Sequence, residues 1–236
     1  MKEDLQLRAL RSEKNVISKV RSPFGDRMEN KMKEYIAKKV ASPLTIEDER
    51  WEKAEVADLS EYWEGVWPKQ YNTVAKLLHS EDGLYLKMET DEWPIKAHET
   101  EENGVVCLDS CMEFFFTPNT KDKEYINFEV NVLSFPQCGL GVERFGRSHP
   151  KVSEENVTIQ TSVKFGEGWS LFMFISAEFL RKYFSSFDKE MLGNFYKCGN
   201  ETVIRHYSVW NMIGTPVPDY HRPEYFGKII LSDEQI

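Results

Sequence analysis

The fold is decided by two neighbouring stretches, Cys111-Met-Glu-Phe-Phe-Phe116 and Tyr125-Ile-Asn-Phe-Glu-Val-Asn-Val132. The second stretch alternates with a period of two, which places its apolar and polar residues on opposite faces of a strand. One face carries Ile126, Phe128, Val130 and Val132, and the other carries Tyr125, Asn127, Glu129 and Asn131. The first stretch is almost continuously apolar, interrupted by Glu113, and predicts a buried strand.

Further strand signals lie on both sides of these two stretches. They comprise a hairpin of Thr73–His79 and Leu84–Glu89, a hairpin of Val157–Val163 and Trp169–Ile175, a short helix at Ala177–Phe184 and a last strand at Lys228–Leu231. Several strands joined by tight turns, without a regular βαβ rhythm, are typical of a sandwich or barrel. The sequence therefore predicts an all-β fold, an antiparallel β-sandwich, over residues 45–236.

The N-terminal 44 residues follow a different pattern. Asp26 and Glu29 form a capping-box-like pair, and the chain reaches Ser42-Pro43 before a break. Between them lies an apolar stripe at helical spacing, made of Met28, Met32, Tyr35, Ile36 and Val40. We therefore predict that residues 1–44 are an arm with one helix, appended to the sandwich.

Composition and charge exclude several classes of function. Apolar residues make up 41% of the 236-residue chain, which is enough for a sizeable core, and the formal net charge is −9. Residues 1–44 hold eleven Lys and Arg against six Asp and Glu, so the remaining chain is strongly acidic. Such a surface repels phosphate backbones, and we expect no nucleic acid partner.

We also expect no membrane partner, because no stretch approaches the roughly 18 apolar residues of a spanning helix. The N-terminus does not resemble a signal peptide. If Met1 is native, the sequence predicts a cytoplasmic protein, and a secreted one if a leader has been removed.

The four cysteines, Cys107, Cys111, Cys138 and Cys198, do not form a zinc-binding pattern. Cys107 and Cys111 are four residues apart, but no second close pair follows them. Free thiols are the default prediction. The sequence also has no haem-attachment or redox Cys-x-x-Cys motif, so we expect no covalent cofactor.

Charged and amide side chains project together from the predicted strands. Glu113 sits in mid-strand, where an unpaired buried carboxylate would be costly, and Asn127, Glu129 and Asn131 share one face. Sugars are bound by aromatic faces flanked by such groups. The tail adds more of this chemistry in His206–Trp210 and Pro218–Glu224, although an ordinary solvated sheet face would show the same strand pattern.

From about Thr45 to its end, the chain resembles the carbohydrate-binding modules of family nine and their single-domain relatives. The segments that carry the resemblance are Trp51–Ala54, Leu84–Leu86, Asp109–Phe116, Tyr125–Asn131, Gly193–Cys198, His206–Trp210 and Pro218–Gly227. The resemblance implies an antiparallel β-sandwich that binds the ends of oligo- or polysaccharide chains between two tryptophans. It also implies a structural calcium ion, for which no ligand set is named.

The resemblance assigns roles to particular residues. Glu113 corresponds to an acidic strand position that accepts sugar hydroxyls, and Glu129 and Asn131 correspond to polar strand residues. Trp210 corresponds to the downstream stacking tryptophan. Cys107 stands in the region of the upstream one, so either Trp93 swings in from the preceding loop or the pocket has one aromatic wall. The remaining candidate rim residues are Arg144, His206 and His221.

Two alternatives to simple sugar binding remain open. Glu113 and Glu129 could be a carboxylate pair for glycoside hydrolysis, with His206 or His221 as general base or metal ligand. No phosphate loop, nucleophile elbow or His-Glu-x-x-His motif accompanies them. The other alternative is an interaction domain with a degenerate sugar site. Non-catalytic carbohydrate binding is the function that the sequence favours.

Overall fold

The structure is a computed structural model that describes residues 32–63 and 67–236. Its strands are β1 Glu34–Lys39, β2 Ala57–Asp58, β3 Thr73–Ser80, β4 Gly83–Thr90, β5 Cys111–Thr117, β6 Tyr125–Asn131, β7 Pro136–Gly141, β8 Val157–Lys164, β9 Gly168–Ser176, β10 Glu190–Gly199, β11 His206–Val209 and β12 Gly227–Gln235. One α-helix, α1, spans Ala177–Tyr183, and 3₁₀ helices span Glu49–Lys53, Val106–Leu108, Val152–Glu154 and Pro223–Tyr225.

The strands form one curled sheet in the order β7-β6-β5-β10-β12-β1-β3-β4-β9-β8, with β11 beside β10 and β2 beside β3. The two ends of the sheet face each other across a shared core, which is the arrangement of a β-sandwich. We call β7, β6, β5 and β10 the first layer, and β3, β4, β9 and β8 the second. The sheet is mixed, because β1 runs parallel to both β12 and β3.

The core between the layers, here called the interlayer core, is built by alternate residues of each strand. Phe114 stacks on Phe116 and on Phe195, with ring centroids 4.4 and 4.8 Å away. Ile126 and Phe128 of β6 join them and are fully buried. The predicted alternation of β6 is therefore confirmed, and it turns Glu129 to the opposite face.

A second apolar cluster, here called the outer cluster, covers that opposite face of the first layer. Phe115 and Tyr196 contribute to it from β5 and β10. The C-terminal tail folds back over them with Ile213, Tyr220 and Phe226. The first layer thus has apolar packing on both sides, and its polar side chains lie within a covered region.

The predicted N-terminal helix is wrong where the structure describes it. Tyr35 and Ile36, assigned to the helical stripe, lie in β1, which pairs with β12 from Glu34 to Lys39. The alternation buries Tyr35 and Ala37 in the interlayer core, a tertiary contact that overrides helical propensity. Residues 1–31, which include the predicted start of the helix, lie outside the described residues. The sheet itself begins before the predicted boundary at residues 44 and 45.

Both predicted hairpins and the short helix are present. β3 pairs with β4 and β8 with β9, and α1 begins after Ser176, whose Oγ accepts a hydrogen bond from the amide of Phe179. The strands β7, β10 and β11 were not predicted as such. Among the described residues, no helix combines the length and apolar character needed to cross a membrane.

Candidate functional site

Glu113 of β5 and Glu129 of β6 form a directly opposed cross-strand pair on the outer face of the first layer. The period of two puts them there, since their sequence neighbours fill the interlayer core. Glu113 is 2% exposed and Glu129 is 5% exposed. Two carboxyl groups are therefore held close together with little access to water.

Each carboxyl group has one neighbour that donates a hydrogen bond to it. The Sγ of Cys198 donates to Oε1 of Glu113 over 2.8 Å, and Nδ2 of Asn127 donates to Oε1 of Glu129 over 3.1 Å. Burial raises the pKa of Glu113 well above its usual value, and the charge of Glu129 raises it further. Burial also raises the pKa of Glu129, to about 7, although Arg144 and Arg147 oppose the shift.

Arg147 is held in place from several directions beside this pair. Its Nη2 donates to the main-chain oxygens of Tyr125 and Gly139, both over 2.9 Å, and its guanidinium lies 4.1 Å from the Tyr125 ring centroid. Gly139 leaves the necessary space, because a Cβ there would approach Oδ1 of Asn127 to 2.6 Å. That oxygen and Nε of Arg147 are buried without a hydrogen-bond partner in the described part of the chain.

Arg144 lies at the more open side of the same cluster. Its Nη1 pairs with Asp219 over 2.8 Å, and its side chain is 37% exposed. The positive charge of Arg144 lowers the pKa of both Glu113 and Glu129, against the effect of their burial. Arg144 is therefore a solvent-accessible cation near the buried carboxyl pair.

His221 also belongs to this cluster, as the sequence predicted for the rim. Its Nδ1 lies 2.8 Å from the hydroxyl of Tyr125, and its ring centroid lies 5.0 Å from that of Phe115. Burial lowers its pKa well below the usual value, and the charges of Arg144 and Arg147 lower it further. The structure thus brings together four predicted residues: Glu113, Glu129, Arg144 and His221.

Two half-buried aromatic side chains, Trp67 and Phe135, pack against the outer cluster, and sequence reasoning did not find them. The ring of Trp67 lies 5.4 Å from that of Tyr207, edge to face. Tyr207 in β11 pairs with Cys198, the hydrogen-bond partner of Glu113. Phe135 packs against the outer cluster. A lone Trp or Phe in a loop carries no periodic signal that would assign it to a site.

Trp210 and Trp93 lie elsewhere. Trp210 is 5% exposed in the interlayer core, where its ring lies 5.6 Å from Phe195 and 6.3 Å from Tyr35. It is therefore on the opposite side of the first layer from Glu113. Trp93 packs on Phe165 in the turn between β8 and β9, with 4.8 Å between ring centroids. Neither tryptophan is brought to the carboxyl pair.

His206 is buried in a network of its own. Its Nε2 lies 2.7 Å from Nζ of Lys197, which pairs with Glu92 over 2.8 Å. Burial lowers the pKa of His206 to about 3, and the charge of Lys197 contributes to the shift. These contacts assign His206 to the packing of the protein interior.

Asn131 uses its amide group to hold a loop. Its Oδ1 accepts hydrogen bonds from the amides of Leu133 and Phe135, and its Nδ2 donates to the Glu99 carbonyl and to Asp109. All of these bonds are within the protein. Asn131 therefore positions Phe135 at the edge of the cluster, and has no amide atom left over for a sugar.

The structural calcium ion implied by the resemblance stays a prediction, as does the localisation. Among the described residues, Cys111, Glu113 and Cys198 are the only group of three or more potential ligands with mutually close atoms. Calcium prefers ligand sets made of oxygen atoms, which two thiols do not supply. Asp109 accepts bonds from the amides of His98 and Glu99, which accounts for its burial.

Domains that bind sugars combine aromatic side chains with a few carboxyl, amide or guanidinium groups. This curled β-sandwich has both on the outer face of its first layer. The sequence model of Carbohydrate-binding family 9 matches residues 41–231, and this chain belongs to that family. The family is non-catalytic, and the function of this protein is non-catalytic carbohydrate binding. The prediction from sequence is confirmed in this respect, and glycoside hydrolysis by Glu113 and Glu129 is not supported.

Solved structures with the same fold agree with this assignment. A protein of Bacteroides uniformis ATCC 8492, described as a candidate carbohydrate-binding protein, has a TM-score of 0.76 and 25% identity over 85% of this chain and 100% of its own.

A family 9 module of Caldicellulosiruptor kristjanssonii in complex with glucose has a TM-score of 0.61 and 17% identity over 85% of this chain and 96% of its own. Its complex with cellotriose has a TM-score of 0.60 and 16% identity over 85% of this chain and 94% of its own. These two similarities show the fold. A comparison with curated proteins gives no match.

Proposed function

We propose that the carbohydrate binds at the solvent-accessible edge of the outer face of the first layer, where Arg144 lies near the buried pair of Glu113 and Glu129. The observation that supports this location is the opposed carboxyl pair, with a solvent-reached guanidinium on the same face. Trp67 and Phe135 pack against the outer cluster on the same side of the first layer and would supply apolar faces for the C–H side of a sugar ring. Trp210, Trp93, His206 and Asn131 are not part of the proposed site.

The polar atoms of the cluster suit neighbouring sugar hydroxyls. A hydroxyl group both donates and accepts a hydrogen bond, so it can bridge a carboxylate and a guanidinium. Oδ1 of Asn127 and Nε of Arg147 are a buried acceptor and donor without partners among the described residues. Leaving such groups unpaired is costly, and we infer that a bound hydroxyl or a water satisfies them.

We further propose that the ligand is a saccharide containing glucose. The support is that the related Caldicellulosiruptor kristjanssonii module is described in complex with glucose and with cellotriose. Identity to that module is 17%, so the sugar is the part of the proposal that most needs a direct test. The outer face of the first layer remains the proposed site whichever sugar binds.

Glycan-array screening followed by calorimetry on the best ligand tests the proposal. We expect Glu129→Gln and Trp67→Ala each to weaken binding by roughly 1–3 kcal/mol, the usual effect of removing a central contact. Trp93→Ala is the matched control, since Trp93 is also half-buried but packs on Phe165. It should leave the affinity unchanged.

Two outcomes would count against this location. Equal losses of affinity in Trp67→Ala and Trp93→Ala would mean that neither tryptophan reports on a specific site. A folded protein that binds no glycan on the array would favour the alternative of an interaction domain with a degenerate sugar site.

A further inference from the structure

We propose that Cys111, Glu113 and Cys198 form a binding site for a thiophilic divalent cation, with Zn²⁺ as the expected ion. The two thiol sulfurs and a carboxylate oxygen lie within 4.8 Å of one another. Thiolate sulfur and carboxylate oxygen are both common zinc ligands. This inference shares Glu113 with the site proposed for the sugar, but it rests on the two thiols and does not require that a sugar binds there.

The spacing of the three ligand atoms is close to that of a tetrahedral zinc site. With the usual zinc–ligand bond lengths, neighbouring ligands around the ion lie about 3.6–3.8 Å apart. Sγ of Cys198 is 2.8 Å from Oε1 of Glu113, which is the length of a hydrogen bond. Replacing the shared proton by a metal ion requires the two atoms to move apart by about 1 Å or less, which side-chain rotation can supply.

The strands fix the three side chains on one rigid surface. Cys111 and Cys198 are directly opposed in the antiparallel pair of β5 and β10. Glu113 is two residues from Cys111 and therefore shares its face. A metal site on paired strands is held more precisely than a site on loops, because the ladder of backbone hydrogen bonds limits motion.

The charges around the three ligands suit a divalent cation. Two thiolates and one carboxylate would carry three negative charges, and a bound Zn²⁺ would leave one of them uncompensated. Lys197 and Arg144 stand close enough to lower the pKa of Glu113. Lys197 is already paired with Glu92, so Arg144, which is partly exposed, is the cation left to offset part of the residual charge.

Cys107 lies next to the three ligands, although its thiol does not belong to the close group. It is half-buried, whereas Cys111 and Cys198 are buried, and its carbonyl oxygen accepts a weak hydrogen bond from Sγ of Cys198 over 3.7 Å. A zinc ion keeps a fourth position for a thiolate or a water molecule. Cys198 lies in β10, far along the chain from Cys111 in β5, which is why the sequence spacing did not predict a zinc site.

Cobalt(II) substitution of the full-length protein, kept reduced with a phosphine, tests the proposal directly. Tetrahedral cobalt bound by thiolates has an intense charge-transfer absorption that cobalt bound by oxygen lacks, and the expected stoichiometry is one ion per chain. Zn²⁺ should then displace the cobalt and abolish the band. A wild-type protein that gives no charge-transfer band on titration with cobalt would overturn the proposal, without any variant being made.

Serine variants assign the ligands. Cys111→Ser and Cys198→Ser should each remove most of the charge-transfer absorption, and Glu113→Gln should weaken cobalt binding by on the order of tenfold or more. Cys138→Ser is the matched control, because Cys138 is a buried free cysteine that lies in the interlayer core. A band that survives in both Cys111→Ser and Cys198→Ser, or that is lost in Cys138→Ser, would contradict the assignment.

The same variants separate this site from the proposed sugar site. Cys111→Ser changes no group proposed to contact the sugar, so loss of cobalt with retained sugar affinity would support a distinct metal site. Trp67→Ala should show the reverse pattern. Failure of sugar binding in the wild type would leave the cobalt result unaffected, and the two proposals therefore fail by different measurements.

Discussion

At the scale of single residues, the pair Glu113 and Glu129 sets the chemistry of the outer face. Each carboxyl group is buried, and the negative charge of one raises the free energy of ionising the other. The pKa of Glu129 is about 7, so near neutral pH the pair carries fewer than two negative charges. A protonated carboxyl group can donate a hydrogen bond, and an ionised one can accept it. A pair with one carboxyl in each state therefore offers a sugar hydroxyl both a donor and an acceptor.

The position of Trp210 leads to a prediction about stability. Its indole packs on Phe195 and Tyr35 in the interlayer core, so Trp210→Ala should lower the free energy of unfolding by about 3–5 kcal/mol through the cavity it creates. Urea denaturation measures this change. The sugar affinity of the fraction that remains folded should equal that of the wild type.

Trp93→Ala is again the control, since a half-exposed indole should cost less on removal than a buried one. An unchanged free energy of unfolding in Trp210→Ala, together with a lost sugar affinity, would mean that Trp210 is a binding residue after all.

His206 makes a prediction about pH. Its pKa is about 3 in the folded protein and about 6.5 in an unfolded chain, so below pH 6.5 the unfolded state binds one proton more than the folded state. The contribution of neutral His206 to the free energy of unfolding is complete above pH 6.5 and is lost as the pH falls toward 3. By pH 5 this difference in proton binding lowers the free energy of unfolding by about 2 kcal/mol.

Chemical denaturation of wild type and His206→Gln between pH 7 and pH 5 measures the effect. The variant should be less stable at pH 7 and should lose less stability on acidification. The exposed His149 provides the control substitution, His149→Gln, which should follow the wild-type curve. Parallel curves for wild type and His206→Gln would show that His206 is not buried in its neutral form.

At this scale the sequence predicted the faces of strands better than the roles of single residues. The alternation of β6 correctly placed Glu129 away from the core. The local sequence does not predict that Trp210 packs on the core side of the sheet, because a short aromatic segment can pack on either side. Asn131 could not be distinguished from a binding residue, since its role depends on the loop that it holds.

At the scale of secondary structure, β1 is where local and tertiary preferences conflict. The segment contains Glu, Ala and two Lys, which favour helix, yet it lies between β12 and β3 as a strand parallel to both. Tyr35 is fixed there by its hydroxyl, which donates to the Glu55 carbonyl over 2.6 Å and accepts from the Leu77 amide over 2.8 Å. These contacts come from distant parts of the chain and leave no periodic signal.

A truncation tests whether β1 is part of the folding unit. A chain that starts at residue 45 loses β1 and leaves β12 and β3 without the strand between them, so we expect it to lack a cooperative unfolding transition. A chain that starts at Met32 keeps all of β1 and serves as the control. Cooperative unfolding of both chains, with the same midpoint in urea, would return residues 34–44 to the status of an appendage.

At the scale of the whole molecule, a buried ion pair connects the two layers. Lys197 lies in β10 of the first layer, and Glu92 lies two residues after the end of β4 in the second. Oε2 of Glu92 also accepts from Nε1 of Trp169, and its Oε1 accepts from Ser110. Burial would raise the pKa of Glu92, but the charge of Lys197 and the hydrogen bonds from Lys197 and Trp169 outweigh it and the pKa is lowered. The partners are more than a hundred residues apart, so no local sequence pattern indicates their pairing.

This pair predicts an asymmetry between single and double substitutions. Both side chains are fully buried, so Lys197→Met leaves the Glu92 carboxylate without its cation and should cost about 3–5 kcal/mol of unfolding free energy. In Lys197→Met with Glu92→Gln the buried charge is gone, while a Gln oxygen can still accept from Trp169. The double variant should therefore be more stable than Lys197→Met alone.

Denaturation of the wild type, both single variants and the double variant measures the coupling. Strictly additive losses would mean that the pair does not join the layers, and that their association depends on the apolar core alone.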